Sequence, residues 1–229
     1  FTLAQSATIR AKAYSSDSSQ SAEADPIIAT MNVLSWQDAT SSPAPSARAD
    51  SALVWDTTRQ EAVLFGGGFH SGTWTQLGDT WVWNNGVWTQ KSPATSPSAR
   101  RTHAMAYDSA RGKTVLYGGE LASGGGNGSH ETWEWDGTDW TLKSPSSSPT
   151  ATDGCEMVFD EARGESVLFG GFIAPGGTHQ SETWTWNGTN WTLKSPATSP
   201  SARIYHSMAY DRARQRVMLF AASNTSGNV

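Results

Sequence analysis

Cysteine is almost absent from this sequence: Cys155 is the single one, so no disulfide can form within the chain. No Cys and His residues have the spacing of a metal site, and we expect neither a metal nor a cofactor. Apolar runs long enough to cross a bilayer are also missing, which predicts no membrane span.

Charge of either sign is scarce as well. Charged residues make up 16% of the 229 residues, and the formal net charge is -5. Nucleic-acid-binding proteins present a basic surface, so this composition argues against a nucleic-acid partner. Few charges with much Ser, Thr, Gly and Trp are typical of an extracellular or cell-surface protein, which is the location we predict. The sequence begins at Phe1 without a signal-peptide pattern, as expected of a processed or partial product.

Tryptophan, in contrast, is abundant, and nine of the twelve tryptophans belong to three copies of one ten-residue phrase. The copies are residues 79–88, 131–140 and 182–191. In each copy a Trp-x-Trp pair places two indoles on one face of a strand, because strand side chains alternate. The Asn-Gly or Asp-Gly that follows predicts a tight hairpin.

The phrase belongs to a longer repeat, whose period of 51 or 52 residues is marked by Trp36, Trp88, Trp140 and Trp191. Each unit also contains an Asp in a turn and then a Gly pair, at 66–67, 118–119 and 170–171, degenerate as Ala-Ala at 221–222. Several short strands in a period of about 50 residues are typical of propeller blades.

We assign four strands, A to D, to each unit. In the second unit, strand A is 103–107, strand B is 114–117, strand C contains Trp-x-Trp, and strand D begins at the following Trp. The glycines after strand B predict positive φ angles or a close backbone approach. The predicted fold is therefore an all-β propeller of four-stranded antiparallel blades, with about four blades in this chain.

The domain organisation follows from counting along the repeat. The predicted blades are approximately 48–91, 100–143 and 152–194, followed by a composite blade of 203–222 with 26–38. We predict this composite because an unfinished blade leaves an open strand edge. It closes a four-bladed ring if both parts belong to one chain; a missing stretch of a longer gene is the alternative. The propeller thus spans 26–229, and residues 1–25 form an arm with one possible strand and a Ser-rich linker.

The repeat resembles kelch repeats of the galactose-oxidase-type propeller superfamily, and is most similar to secreted kelch-motif proteins. The matching residues are the apolar stretch 63–65 before its Gly pair, the aromatic pair Trp83 and Trp88, and the Arg-x-x-His sequences at 100–103 and 203–206. The resemblance covers roughly residues 36–222, and it implies a β-propeller without implying an activity. Departures occur at Ser51, Thr152, Cys155 and the Ala-Ala pair.

Catalysis is not predicted. No nucleophile motif such as Gly-x-Ser-x-Gly is present. Copper radical oxidases also use kelch-like propellers, and a fragment of such an enzyme is the less favoured enzymatic alternative. Those enzymes need a Cys cross-linked to a Tyr and two His ligands, whereas Cys155 occupies a repeat position and no Tyr-His grouping marks a site.

Binding residues are expected in the B–C loops, 68–78, 120–130 and 172–181, because long loops on a rigid scaffold usually carry recognition. Nine tryptophans, His103, His206 and Cys155 occupy repeat positions and are interpreted as structural. Trp74 lies outside the repeat pattern and is the best candidate for an exposed contact. The full set of candidate ligand contacts is Phe69, His70, Trp74, Leu121, His130 and His179.

Two functions remain open from the sequence. One is an extracellular scaffold that associates with other protein chains or with copies of itself, donating a strand through Ala7, Ile9, Ala11 and Ala13 and so forming fibres. The other is a monomeric propeller that binds glycan or protein through its B–C loops. Acceptor sequons for N-linked glycans, effective only if the source organism glycosylates, occur at Asn127, Asn187, Asn190 and Asn224.

Overall fold

The structure is a computed structural model that describes residues 43–122, 128–174 and 176–220. All of these residues belong to one compact unit, Thr40–Val229. Every regular element in the described ranges is a β-strand, so the predicted all-β class is confirmed. None of these residues forms a helix of the length and apolarity needed to cross a membrane.

The strands are short and follow the repeat. In chain order they are β1 Ala52–Asp56, β2 Glu61–Phe65, β3 Gly68–His70, β4 Trp74–Gln76, β5 Thr80–Asn84, β6 Val87–Lys91, β7 Arg100–Arg101, β8 Ala104–Asp108, β9 Lys113–Tyr117, β10 Glu120–Leu121, β11 Thr132–Trp135, β12 Trp140–Lys143, β13 Glu156–Asp160, β14 Glu165–Phe169, β15 Thr183–Trp186, β16 Trp191–Lys194, β17 Ser207–Asp211 and β18 Arg216–Phe220.

Three four-stranded antiparallel sheets occur among the described residues, as the repeat predicts. Sheet I has the order β1-β2-β5-β6, sheet II the order β8-β9-β11-β12, and sheet III the order β13-β14-β15-β16. Each sheet therefore contains strands A to D of one repeat, paired in chain order. The fourth repeat contributes the antiparallel pair β17–β18. Two smaller pairs, β3–β4 and β7–β10, lie in the connections.

The turn between strands A and B depends on an Asp-x-x-Arg sequence. One carboxylate oxygen of Asp56 accepts hydrogen bonds from the Thr58 and Arg59 backbone amides at 2.9 Å, and the other accepts one from the Arg59 guanidinium at 2.7 Å. Such bonding to local amides is why Asp is favoured in turns. The same ion pair recurs as Asp108–Arg111, Asp160–Arg163 and Asp211–Arg214.

The glycine pair after strand B makes room for the next repeat. Gly118 and Gly119 have φ angles of +74° and +98°, so the predicted left-handed conformation is confirmed. A Cβ atom on Gly118 would lie 2.6 Å from the backbone oxygen of Thr152. Any larger residue would therefore push two consecutive repeats apart.

A chain of backbone hydrogen bonds joins the repeats just before strand A. Four residues at equivalent positions have positive φ angles: Asp50, Thr102, Gly154 and Tyr205. The amide of Thr102 donates to the Asp50 oxygen at 2.9 Å, Gly154 to Thr102 at 3.0 Å, and Tyr205 to Gly154 at 3.1 Å. This repeated left-handed turn aligns each strand A beside the one before it.

The first Trp of each Trp-x-Trp pair is fixed by an acidic residue two positions earlier. The indole nitrogens of Trp81, Trp133 and Trp184 donate to Asp79, Glu131 and Glu182. In the first two repeats the same carboxylate pairs with a buried arginine, Arg48 or Arg100. Thr152 replaces that arginine in the third repeat, where the Thr150 hydroxyl donates to Glu182 at 2.7 Å instead. The departure is thus accommodated locally.

The core lies between sheets rather than within one. Each sheet has a front face toward the preceding repeat and a back face toward the following one. The front face of sheet II packs on the back face of sheet I, and the front face of sheet III packs on the back face of sheet II. The front face of sheet II contains Met105, Leu116, Trp133, Trp135 and Trp140, and its back face contains Ala104, Ala106, Val115 and Tyr117.

Arginines of the A–B turns cross these interfaces. Arg59 donates to the Asp136 backbone oxygen in the next repeat, and its side chain fills the space beside Gly137. Arg111 lies in the same way beside Gly188. In sheet I the equivalent hairpin position is occupied by Asn85, in a tighter turn with Gly86.

Equivalent tryptophans of sheets II and III differ in one polar contact, which gives a matched test. The Trp186 indole nitrogen donates to Glu134 at 2.9 Å, whereas the buried Trp135 nitrogen has no partner among the described residues. Val82 of sheet I stands where Glu134 stands in sheet II. Trp186→Phe should therefore lower the free energy of unfolding by about 1–2 kcal/mol more than Trp135→Phe, measured by denaturant titration. Equal losses would contradict a stabilising role for the Glu134 contact.

Candidate functional site

The loop side of sheet I presents an exposed aromatic residue held by two neighbours. Trp74 lies in the β3–β4 hairpin, and both Trp74 and Phe69 remain exposed. The His70 ring is edge-on to the Trp74 ring, with 5.5 Å between their centroids. The Arg101 guanidinium carbon lies 4.1 Å from the centroid of the Trp74 ring, which is a cation–π contact. These contacts orient the indole as a rigid, accessible surface.

Arg101 connects this hairpin to the next repeat. Its guanidinium donates to Asp50 at 2.9 Å and also to Glu120, which pairs with it across β7–β10. Burial, reinforced by the negative charge of Glu120, raises the pKa of the nearby Asp153 to about 6. One guanidinium thus stands among three carboxyl groups, beside an exposed indole.

Sequence reasoning did not identify Asp50, Arg101, Glu120 or Asp153 as functional candidates. A usable signal was present in the position after the repeat arginine, which is occupied by Ala49, Arg101, Asp153 and Ile204 in the four units. Positions that the repeat architecture requires carry similar residues in each unit. A position that varies in charge between units is free to serve recognition.

The other predicted loop residues lie in the B–C connections of the second and third repeats. His130 is exposed, with its Nδ1 atom 3.2 Å from the Pro149 backbone oxygen, and His179 stands edge-on to Phe172 at 5.7 Å. Leu121 is half-buried in β10. Across the described ranges, no group of three or more His, Cys, Asp or Glu residues is arranged to hold a metal ion.

His103 and His206 serve packing between repeats. Their rings stand edge-on to Phe65 and Phe169 of the preceding repeats, at 5.5 and 5.6 Å. Burial, with a smaller effect from the nearby arginine, lowers the pKa of His103 to about 3 and that of His206 to about 4. Both rings are therefore neutral at physiological pH, as suits a position within the core.

Cys155 occupies the position of these histidines in the third repeat. It is buried, its Sγ atom donates to the Asp153 backbone oxygen at 3.7 Å, and burial raises the pKa of its thiol. The neighbouring Tyr117 hydroxyl lies 2.8 Å from the Pro149 oxygen and 3.1 Å from the Ala151 oxygen. The side chains of Cys155 and Tyr117 are therefore both part of the core.

A cavity of about 400 Å³ lies between the A strands of the four repeats, β1, β8, β13 and β17. Equivalent positions along it carry aromatic side chains, namely Trp55, Tyr107, Phe159 and Tyr210. Glu156 lines the same cavity, and burial raises the pKa of its carboxyl group to about 7. The cavity is therefore lined by both aromatic and polar side chains, and one of its carboxyl groups readily holds a proton.

Two of the predicted sequons, at Asn187 and Asn190, lie in the single hairpin between β15 and β16, and both asparagine side chains accept hydrogen bonds. The Asn187 side-chain oxygen accepts bonds from the Thr189 and Asn190 amides, and that of Asn190 accepts bonds from Ser146. The sequons at Asn127 and Asn224, and the predicted assembly residues Ala7, Ile9, Ala11 and Ala13, lie outside the described residues.

Comparison of the chain with protein-family models and with curated proteins found no match. The interpretation of the site therefore depends on its geometry alone.

Replacing Glu156 by Gln should stabilise the protein in a pH-dependent way. The folded pKa of about 7 lies above the ordinary value of 4.5, so the proton bound in the folded state contributes stability below pH 4.5, and this is lost as the pH rises through 7. Glu156→Gln should raise the free energy of unfolding by about 2 kcal/mol at about pH 8.5 and hardly at all at about pH 4. Denaturant titrations of both proteins at both pH values measure this, and an equal gain at both would contradict it.

Proposed function

We propose that this protein is a non-catalytic extracellular scaffold, built as a kelch-like β-propeller, that acts in protein–protein association, including association with copies of itself. Sheets with one common strand order, stacked face to face with their A strands side by side around a cavity, support the propeller architecture. Glycine-dependent contacts between repeats give such an array the rigidity that a scaffold needs.

The observation that carries the proposal is the open end of the array at the fourth repeat. Strands β2, β9 and β14 each pair with a third strand, whereas among the described residues β18 pairs with β17 alone. Its side chains Met218 and Phe220 are exposed. An unpaired strand edge beside exposed apolar side chains is a surface that another chain can cover.

Two segments outside the described residues have a part in this proposal. Residues 26–38 would supply the third and fourth strands of the fourth repeat, which gives the composite blade. Residues 1–14 would then add a strand to a neighbouring chain. Donation in one direction without closure produces a fibre, the arrangement that fits a structural scaffold.

Deleting residues 1–25 should lower the mass of the assembly toward that of the monomer without changing the thermal midpoint, because the proposed blades do not include these residues. Sedimentation velocity over a range of concentrations measures the mass. Ile9→Pro should reproduce the effect, since proline removes a backbone donor from the strand. Ser18→Pro in the linker is the matched control and should leave the assembly intact. Unchanged assembly after the deletion would contradict the donated arm but not the composite blade.

A second function, binding of glycan or protein by the B–C loops, is favoured by one observation. The Trp74 indole is exposed and yet held by Arg101 and His70. Rigid aromatic side chains supply much of the energy at binding surfaces because little entropy is lost on contact.

Trp74→Ala should weaken binding of a glycan or protein ligand found by array screening by about 30-fold or more, as for a central aromatic contact. His70→Ala should have a smaller effect because it only orients the indole. Val87→Ala, an exposed apolar residue in the C–D hairpin of the same sheet, is the control. Titration calorimetry measures each affinity, and unchanged binding by the Trp74→Ala, His70→Ala double variant would sink this role for the hairpin.

A further inference from the structure

The two interfaces between consecutive sheets show which side chains a front face and a back face bring into contact. At both interfaces a tryptophan-rich front face covers a back face of small or apolar side chains. The Trp140 indole nitrogen donates across one interface to Thr80, and that of Trp191 donates across the other to Thr132. The same side-chain types thus meet twice in the same geometry.

The front face of sheet I has the composition of these front faces and is open at its first strand, while Leu64 and Trp81 on the same face are buried. Leu53 and Trp55 are 57% and 43% exposed, whereas Met105 and Tyr107, at the same positions of sheet II, are 5% and 8% exposed. Trp83 is also only half-buried, while its equivalent Trp135 is fully buried. Sheet I packs on the front face of sheet II, whereas Leu53 and Trp55 line the cavity between the A strands.

The back face of the fourth repeat is also exposed. Met218 and Phe220 are 53% and 79% exposed, whereas Val115 and Tyr117, at the same positions of sheet II, are completely buried. Ser207 and Ala209 beside them are exposed as well. Each of these two faces thus exposes apolar side chains.

We propose that the back face of the fourth repeat, Met218 and Phe220, docks on the front face of sheet I, Leu53 and Trp55, of a second copy of this chain. This rests on the proposed function and identifies the surface by which copies associate. We choose a second copy as the partner because the two open faces have the same composition as the front and back faces that pack together at the two internal interfaces. None of the named side chains is charged, so docking desolvates no ion.

The backbone of the repeat is consistent with the same docking. The chain of hydrogen bonds between left-handed residues begins at Asp50, beside the open front face, and ends at Tyr205, beside the open back face. Docking of a second copy would place another strand A in line with this series. The crossing arginine is not part of the proposed interface, because sheet I has Asn85, and not a glycine, at the position of Gly137, which lies beside Arg59.

This interface is heterologous, since it joins two different surfaces, and that property gives a sharp test. A front variant, Leu53→Asp with Trp55→Asp, keeps its back face, and a back variant, Met218→Asp with Phe220→Asp, keeps its front face. Each alone should associate about 30-fold or more weakly than the native chain, because docking would bury unpaired charge. An equimolar mixture should associate more tightly than either variant alone, since each variant retains one complementary face.

Sedimentation velocity on the full-length chains measures these masses, and near-ultraviolet circular dichroism checks that each variant is folded. Leu142→Asp with Leu193→Asp is the matched control, because both leucines are exposed on fourth strands outside the proposed interface, and it should associate like the native chain. Native-like association of the front and back variants would overturn the interface while leaving self-assembly standing. A mixture that associates no more tightly than either variant alone would overturn heterologous docking. A native chain that is monomeric at all concentrations would refute both the interface and self-assembly.

Discussion

Burial of one sheet by the next is the interaction on which the remainder of this structure depends. A four-stranded sheet of this size has two apolar faces and cannot bury either by itself. The Trp-x-Trp pair on each front face supplies the bulk that fills the space against the preceding back face. Consequently the stability of a repeat is decided mainly at its two interfaces, as in other repeat architectures.

The polar features of the repeat follow from this packing. Close approach of consecutive repeats requires the left-handed glycines after strand B, and the buried indole nitrogens require acceptors at fixed positions. Where a unit departs from the pattern, a local contact takes over. Thr150 compensates for the missing arginine of the third repeat, and Cys155 fills the position of a histidine. Such departures alter one contact without altering the order of the strands.

The features that bear on function lie where the repeat is incomplete or irregular. Arg101 stands at a position that differs in every unit, and it organises the exposed Trp74 hairpin. The open faces of sheet I and of β17–β18 belong to the first and last described repeats, which each have a described neighbour on one side only. A regular array therefore supplies rigidity, and its exceptions supply the surfaces available to partners.

By itself the sequence determined the strands of the three four-stranded sheets, their antiparallel order and the turn residues, because these depend on short-range periodicity, on Asp and on Gly. The pairs β3–β4 and β7–β10, in segments predicted as connections, were not predicted. Trp-x-Trp, Asp108 and the pair at 118–119 were sufficient for sheet II. Tertiary structure alone decided which face of a sheet is covered and which charged residues meet. Arg101, Asp50 and Trp74 are far apart in sequence, and Leu53 and Met105 occupy one repeat position with opposite exposure. Whether a side chain is buried depends on which residues pack against it in space, and the sequence pattern of a repeat does not show which residues those are.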